Sequence, residues 1–203
     1  MKSFIHHIES LSNEKIDYFI TNSDLNIFHE DIENSVILSG SFNPVHDGHM
    51  KLLNYSSEKL KMNKYYEISL SNVDKDDIQI EELIKRIKKF NTDEKIIISK
   101  SSKFIHKSKI FPKSCFIVGY DTAIRILDPS YLSSGESLDD LFNALGKNSC
   151  TFLVAGRIDA TGSIFENLEL NNLDFKYKDY FKIISEKDFR VDVSSTDMRR
   201  HDI

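Results

Sequence analysis

A doubly wound α/β domain with a mostly parallel sheet is the fold predicted for this 203-residue chain. Three observations predict it. Short runs of β-branched and aromatic residues recur from residue 35 onward, as strands do. Most are separated by segments with the 3.6-residue periodicity of helices. The strand runs are largely apolar on both faces, so both sheet faces must be covered.

The elements follow in order. Residues 1–34 show helical periodicity, with Phe4, Ile5, Ile8 and Leu11 on one face, and predict an N-terminal helical extension. The domain proper is then 35–203. Its strands are "SVILS" (35–39), "YYEISL" (65–70), "KIIIS" (95–99), "CFIVG" (115–119), "TFLVA" (151–155) and "YFKII" (180–184). Helical patterns occupy 49–62, 80–90, 103–110, 137–145 and 164–170. Neither an internal repeat nor a linker splits the domain.

Composition narrows the function classes. A net charge of -5, with 40% hydrophobic and 29% charged residues, describes a globular chain and not a nucleic-acid binder. The one dense basic run, "KRIKK" at 85–89, lies on a helical pattern and reads as a solvated helix face. No stretch has the length and apolarity of a membrane span, and the N-terminus lacks the apolar core of a secretory signal. A cytoplasmic location is therefore expected. Cys115 and Cys150 stand far apart and read as buried thiols in a reducing compartment. The sequence leaves the oligomeric state open.

In such a sheet ligands bind beyond the carboxyl ends of the strands, near the point where strand order reverses. The loop after the first domain strand reads "GSFNPVHDGH". Gly40 lets backbone approach a ligand, and Pro44 fixes the turn. Helical periodicity starts near Asp47, so His46 and His49 sit at a helix N-terminus and, three residues apart, share a side. Free N–H groups and the positive dipole end attract anions there, and Gly48 removes bulk between the rings. The loop is thus a cradle for phosphate oxygens with two imidazoles at its rim.

A second cradle is expected near the C-terminus, in "VDVSSTDMRR" (191–200). Ser194 can cap the helix that follows, with Asp197 completing a capping box. Ser195 and Thr196 add donors, and Arg199 one turn later is a permanently charged, bidentate phosphate ligand.

Gly40, Phe42, Pro44, His46, Gly48 and His49 spell G-x-F-x-P-x-H-x-G-H, and with them the chain resembles the HxGH nucleotidylyltransferase superfamily. Chance occurrence of that pattern is on the order of one in a million from average residue usage. The second run resembles the superfamily's I-S-S-T-x-x-R signature, with Val193 in place of isoleucine. The R-T-x-G-I-S-T-T run of cytidylyltransferases is absent, and the first motif is not the TxGH of phosphopantetheine enzymes. The chain therefore looks most like the nicotinamide or nicotinate mononucleotide adenylyltransferase branch. "VGYDT", with Gly119 and Asp121, reads as a loop after its strand and resembles that branch's G-x-D element, where a loop contacts nucleotide. "VAGR" places Arg157 where such enzymes often carry a phosphate-side arginine. Lys75 is within reach of a phosphate but reads as a solvated lysine.

The resemblance implies a Rossmann-like fold and transfer of AMP from ATP to a phosphorylated small-molecule acceptor, nicotinamide mononucleotide or its nicotinate form. Magnesium arrives with ATP, and no dedicated metal site is expected. The acceptor's phosphate oxygen attacks the α-phosphorus and pyrophosphate leaves in line, so the protein positions and neutralises charge without abstracting a proton. His49 would face the α-phosphate. His46, Arg199 and the Ser195–Thr196 turn would hold the β and γ phosphates. Gly40, Ser41 and Phe42 would offer backbone N–H groups to the phosphate bridge, and Asn43 would join them on the nucleotide side. A relative with another phosphorylated acceptor or an ATP-hydrolysing activity, and a nucleotide-binding regulator without turnover, are the alternatives.

Overall fold

The computed structural model describes residues 1–71, 78–132, 135–158 and 164–190. In chain order the elements are α1 (Lys2–Ser12), β1 (Tyr18–Thr21), β2 (Ile27–Phe28), β3 (Ser35–Ser39), α2 (Asp47–Leu60) and β4 (Asn63–Ser69). There follow α3 (Ile80–Ile87), β5 (Ile96–Ser99), α4 (Phe104–Ile110), β6 (Cys115–Gly119) and α5 (Tyr120–Leu127). The described chain continues with α6 (Leu138–Lys147), β7 (Thr151–Ala155), β8 (Arg157–Ile158), β9 (Phe165–Glu166), α7 (Phe175–Lys178) and β10 (Phe181–Ile184).

Among the described residues the main sheet has eight strands in the order β10-β7-β6-β3-β4-β5-β1-β2. The six from β10 to β5 are parallel. Following the chain, β3, β4 and β5 run outward in one direction; β6 then returns to the other side of β3, and β7 and β10 continue away. The order reverses between β3 and β6, and that gap is where a doubly wound sheet opens a crevice. The fold is Rossmann-like, as the alternating pattern predicts.

Period-two alternation sorts each strand between two cores. Val36, Leu38, Tyr66, Ile68, Ile96 and Ile98 face α1, α2 and α3, meeting Phe4, Ile8, Leu53, Leu83 and Ile87. Ile37, Tyr65, Ile97, Phe116, Phe152 and Val154 face α4, α5 and α6, meeting Ile105, Ala123, Ile126, Leu141 and Phe142. Each buried Phe, Ile or Leu contributes roughly 1.5–3 kcal/mol, which is why both faces are apolar.

The structure corrects three local expectations. Residues 1–34 are helical only over Lys2–Ser12; β1 and β2 form a hairpin, and β1 pairs antiparallel with β5, Phe19 opposite Ile98. Strand pairing outweighs helical periodicity there because it satisfies the backbone of an otherwise open β5 edge. Residues 164–170 are not a helix: β9 pairs with β8, Arg157 opposite Glu166. The "GYDT" stretch is not a loop, because α5 begins at Tyr120 with Gly119 as its N-cap. Among the described residues no helix is long and apolar enough to cross a membrane.

Candidate active site

The first loop leaves β3 at the sheet's reversal point. Gly40 N–H donates to the Glu67 carbonyl at 3.0 Å, extending the β3–β4 ladder by one bond, so contrary to the sequence-based expectation it is engaged in the sheet and not offered to a phosphate. The Phe42 ring then folds back under the loop and is 2% exposed, meeting Tyr66 and Phe90 edge-on. It fills the space a side chain at position 40 would need: a Cβ there would lie 3.0 Å from Phe42 Cζ. Phe42 itself has φ +43°, a left-handed conformation that burial of its ring maintains.

Both histidines sit where the spacing places them. His46 is the N-cap of α2 and His49 lies in its first turn. Their rings stack with centroids 3.7 Å apart and 25° between planes, and His49 also meets the Phe42 ring edge-on. The His46 backbone N–H donates to His49 Nδ1 at 3.3 Å. That bond makes Nδ1 an acceptor and leaves the proton of neutral His49 on Nε2, ready to donate. Burial pushes His49 down to about 4, with the adjacent His46 adding to the effect. Burial lowers His46 as well, against the opposing pull of Asp47. Its Nδ1 is buried and has no hydrogen-bond partner among the described residues. The first turn of α2 therefore presents neutral imidazoles beside orphan backbone N–H groups, an arrangement suited to phosphate oxygens.

A cleft of about 700 Å³ opens at the carboxyl ends of the strands. Gly40, Ser41 and Asn43 line it, together with Arg86 from α3, Lys107 from α4, and Thr122 and Arg125 from α5. The helix-borne cations, with Glu67 and Glu82, leave this lining set at net +1. Arg86 belongs to the basic run 85–89, which by sequence is expected on a solvated helix face. Its Nε donates to Glu82 at 2.9 Å and its Nη1 to the Ser41 carbonyl at 3.1 Å, so it touches the loop directly. The helix turns this one position of the basic run inward, beside buried Leu83 and Ile87. Lys107 is 4% exposed and pairs with Glu67 at 2.6 Å. An apolar annex of about 190 Å³ adjoins the cleft at Ser102, Phe104, Thr122 and Arg125 and continues to Tyr131, Leu132 and Leu141.

Other expected residues lie elsewhere. Phe42, His46 and Gly48 are buried behind the loop, His49 is half-buried beside them, and none of the four is part of the cleft lining. Gly119 and Asp121 start α5, but the next turn, Thr122 and Arg125, is what reaches the cleft. Asp121 and Arg157 instead pair with each other at 3.0 Å, and Arg157 Nε also donates to Glu166 at 3.1 Å. Ser194, Ser195, Thr196 and Arg199, like Lys75, lie outside the described residues.

No curated protein matches the chain. The family model described as cytidylyltransferase-like does, over residues 37–201, a span that holds the glycine-histidine loop, the parallel sheet around its reversal point and the Ser-Ser-Thr run. With most of its length inside that match, the chain belongs to the cytidylyltransferase-like family of the HxGH nucleotidylyltransferase superfamily, whose chemistry is nucleotidyl transfer from a nucleoside triphosphate to a phosphorylated substrate.

Proposed function

We propose that the protein transfers AMP from ATP to nicotinamide mononucleotide or nicotinate mononucleotide, releasing pyrophosphate and NAD or deamido-NAD. The observation that carries the reading is the stacked, neutral His46–His49 pair at the start of α2, behind a glycine loop that borders a cationic cleft. A neutral His49 donates through Nε2–H to the α-phosphate, where negative charge crowds as the acceptor oxygen attacks. Its neutrality also spares the site a titratable charge near pH 7. His46 and the N–H groups of the first α2 turn hold the outer phosphates, joined by Arg86 and, from the Ser-Ser-Thr run, by Ser194, Ser195, Thr196 and Arg199. Gly40, Ser41, Phe42 and Asn43 carry the backbone along the phosphate bridge. Gly119, Asp121 and Arg157 complete the nucleotide side, with Arg157 leaving Asp121 when a phosphate competes for it.

The choice of adenylyl transfer and of a pyridine mononucleotide rests on the first and second motif variants together. Magnesium enters as part of the nucleotide substrate. The test is a matrix of ATP or CTP, with magnesium, against phosphorylated acceptors that include both pyridine mononucleotides. Pyrophosphate and a dinucleotide should appear with ATP and a pyridine mononucleotide. Product only with CTP, only with another acceptor, or ADP in place of pyrophosphate would replace the proposal.

A further inference from the structure

The cleft floor holds a charged pair that neither the fold nor the proposed chemistry accounts for. Glu67 is 1% exposed and Lys107 4%, yet both lie beneath the phosphate loop. Removing two charges from water is costly, and apolar residues of the same volume often serve stability equally well or better. Core packing therefore gives no reason for this pair.

Its geometry supplies one. Glu67 lies in β4 opposite Ser39 of β3, and its side chain is on the α4 face with Tyr65. One carboxylate oxygen accepts from Ser99 Oγ at 2.5 Å, and the other takes Lys107 Nζ at 2.6 Å. The carboxylate is thus fixed from two sides and can hold the ammonium in one orientation. Lys107 Nζ makes a second contact to Ser39 Oγ at 3.3 Å, at the last residue before the loop. An ammonium has three donors. The third has no oxygen or nitrogen partner among the described residues, and Lys107 lines the cleft beside Gly40 and Ser41.

We infer that Lys107 is a substrate-binding residue whose free N–H meets a phosphoryl oxygen in the cleft, and that Glu67 is its positioning residue. The inference rests on the reading that the cleft takes phosphorylated substrates. The phosphoryl group belongs either to the triphosphate or to the acceptor, and both chemistries offer the same charged oxygen. An ammonium already paired with Glu67 suits a group that must also be released after transfer.

Removing Lys107 alone would strand a buried carboxylate, so the pair is replaced together. Glu67→Gln with Lys107→Met keeps volume and removes both charges. Calorimetric titrations of full-length wild type and the double variant with magnesium-ATP, and separately with nicotinamide mononucleotide, read the effect on each substrate. Circular dichroism and the melting temperature verify that the variant is folded. The expected result is a melting temperature within about 5 °C of wild type and at least tenfold weaker binding of one ligand. The affected ligand identifies the phosphoryl group. Binding of both within threefold of wild type, in a folded double variant, overturns the inference and leaves the proposed function standing. Lys107→Met with Glu67 intact, assayed the same way, covers a double variant that fails to fold: unchanged binding again overturns it. A wild type that binds neither ligand overturns the functional reading, and this inference with it.

Discussion

At the scale of single residues, the proposed chemistry depends on the protonation state of two imidazoles. His49 should titrate near pH 4 by heteronuclear NMR of the ring, well below an ordinary histidine. The sign of its contribution to stability follows. The folded state resists the proton that the unfolded chain accepts near 6.5, so this stabilisation is complete above that pH and declines as pH falls towards 4. Chemical denaturation of wild type and His49→Gln at pH 7 and pH 5 should show the wild type losing more stability between the two. His49→Ala should lower turnover at least a hundredfold, the usual cost of a lost transition-state donor, in a steady-state assay with the productive acceptor. A fall below threefold would remove His49 from the reaction. The two histidines were legible in the sequence because a fixed spacing at a strand-to-helix junction is a local signal. Arg86 and Lys107 were not, because nothing local separates a lysine or arginine turned into a cleft from one turned to water. Each sits on a helix, and which side of that helix meets the loop is decided by the sheet order.

At the scale of elements, capping explains why some boundaries were readable. Ser137 precedes α6, and its hydroxyl accepts from Asp140 N–H while Asp140 returns a carboxylate to the Ser137 N–H at 2.9 Å. Ser137→Ala should cost about 1 kcal/mol, within the range for lost caps, and lower the melting temperature by about 2–4 °C. Differential scanning calorimetry reads both. The β3, β6 and β7 boundaries matched the runs because the interiors of these buried parallel strands are continuously apolar and stand out from the polar residues that flank them. The failures have a shared cause. β1, β2, β8 and β9 have two to four residues each, too few for a period to declare itself, and exist because a partner strand accepts their hydrogen bonds. The start of α5 was hidden because Gly119 serves at once as the end of β6 and as the helix N-cap.

At the scale of the whole molecule, the N-terminal segment is structurally continuous with the sheet. Phe4, Ile8 and Leu11 of α1 join the same core as Leu53 and Leu83, and β1 covers the edge of β5. Deleting residues 1–33 should expose that edge and the apolar face under α1, giving a chain that aggregates or melts at least 10 °C lower. Light scattering and thermal denaturation of the truncated and full-length proteins would read this. A truncated chain as monodisperse and stable as the parent would make the hairpin an appendage. The fold class was legible because alternation of strands and helices is a global pattern that survives local errors. The strand order was not, since no residue of β6 marks it as returning beside β3; only the packed sheet makes that visible.

Gly40 and Phe42 also change what a match to this signature certifies. The ring occupies the volume that the glycine leaves, so the two positions constrain each other through packing alone, whether or not a ligand ever arrives. That half of the signature is a mark of architecture and would persist in a descendant that had abandoned catalysis. His46 and His49 carry no comparable packing obligation to Gly40. A degenerate relative is therefore expected to betray itself by keeping the glycine and phenylalanine while its histidines drift, and a reader of genomes should weigh the two halves separately.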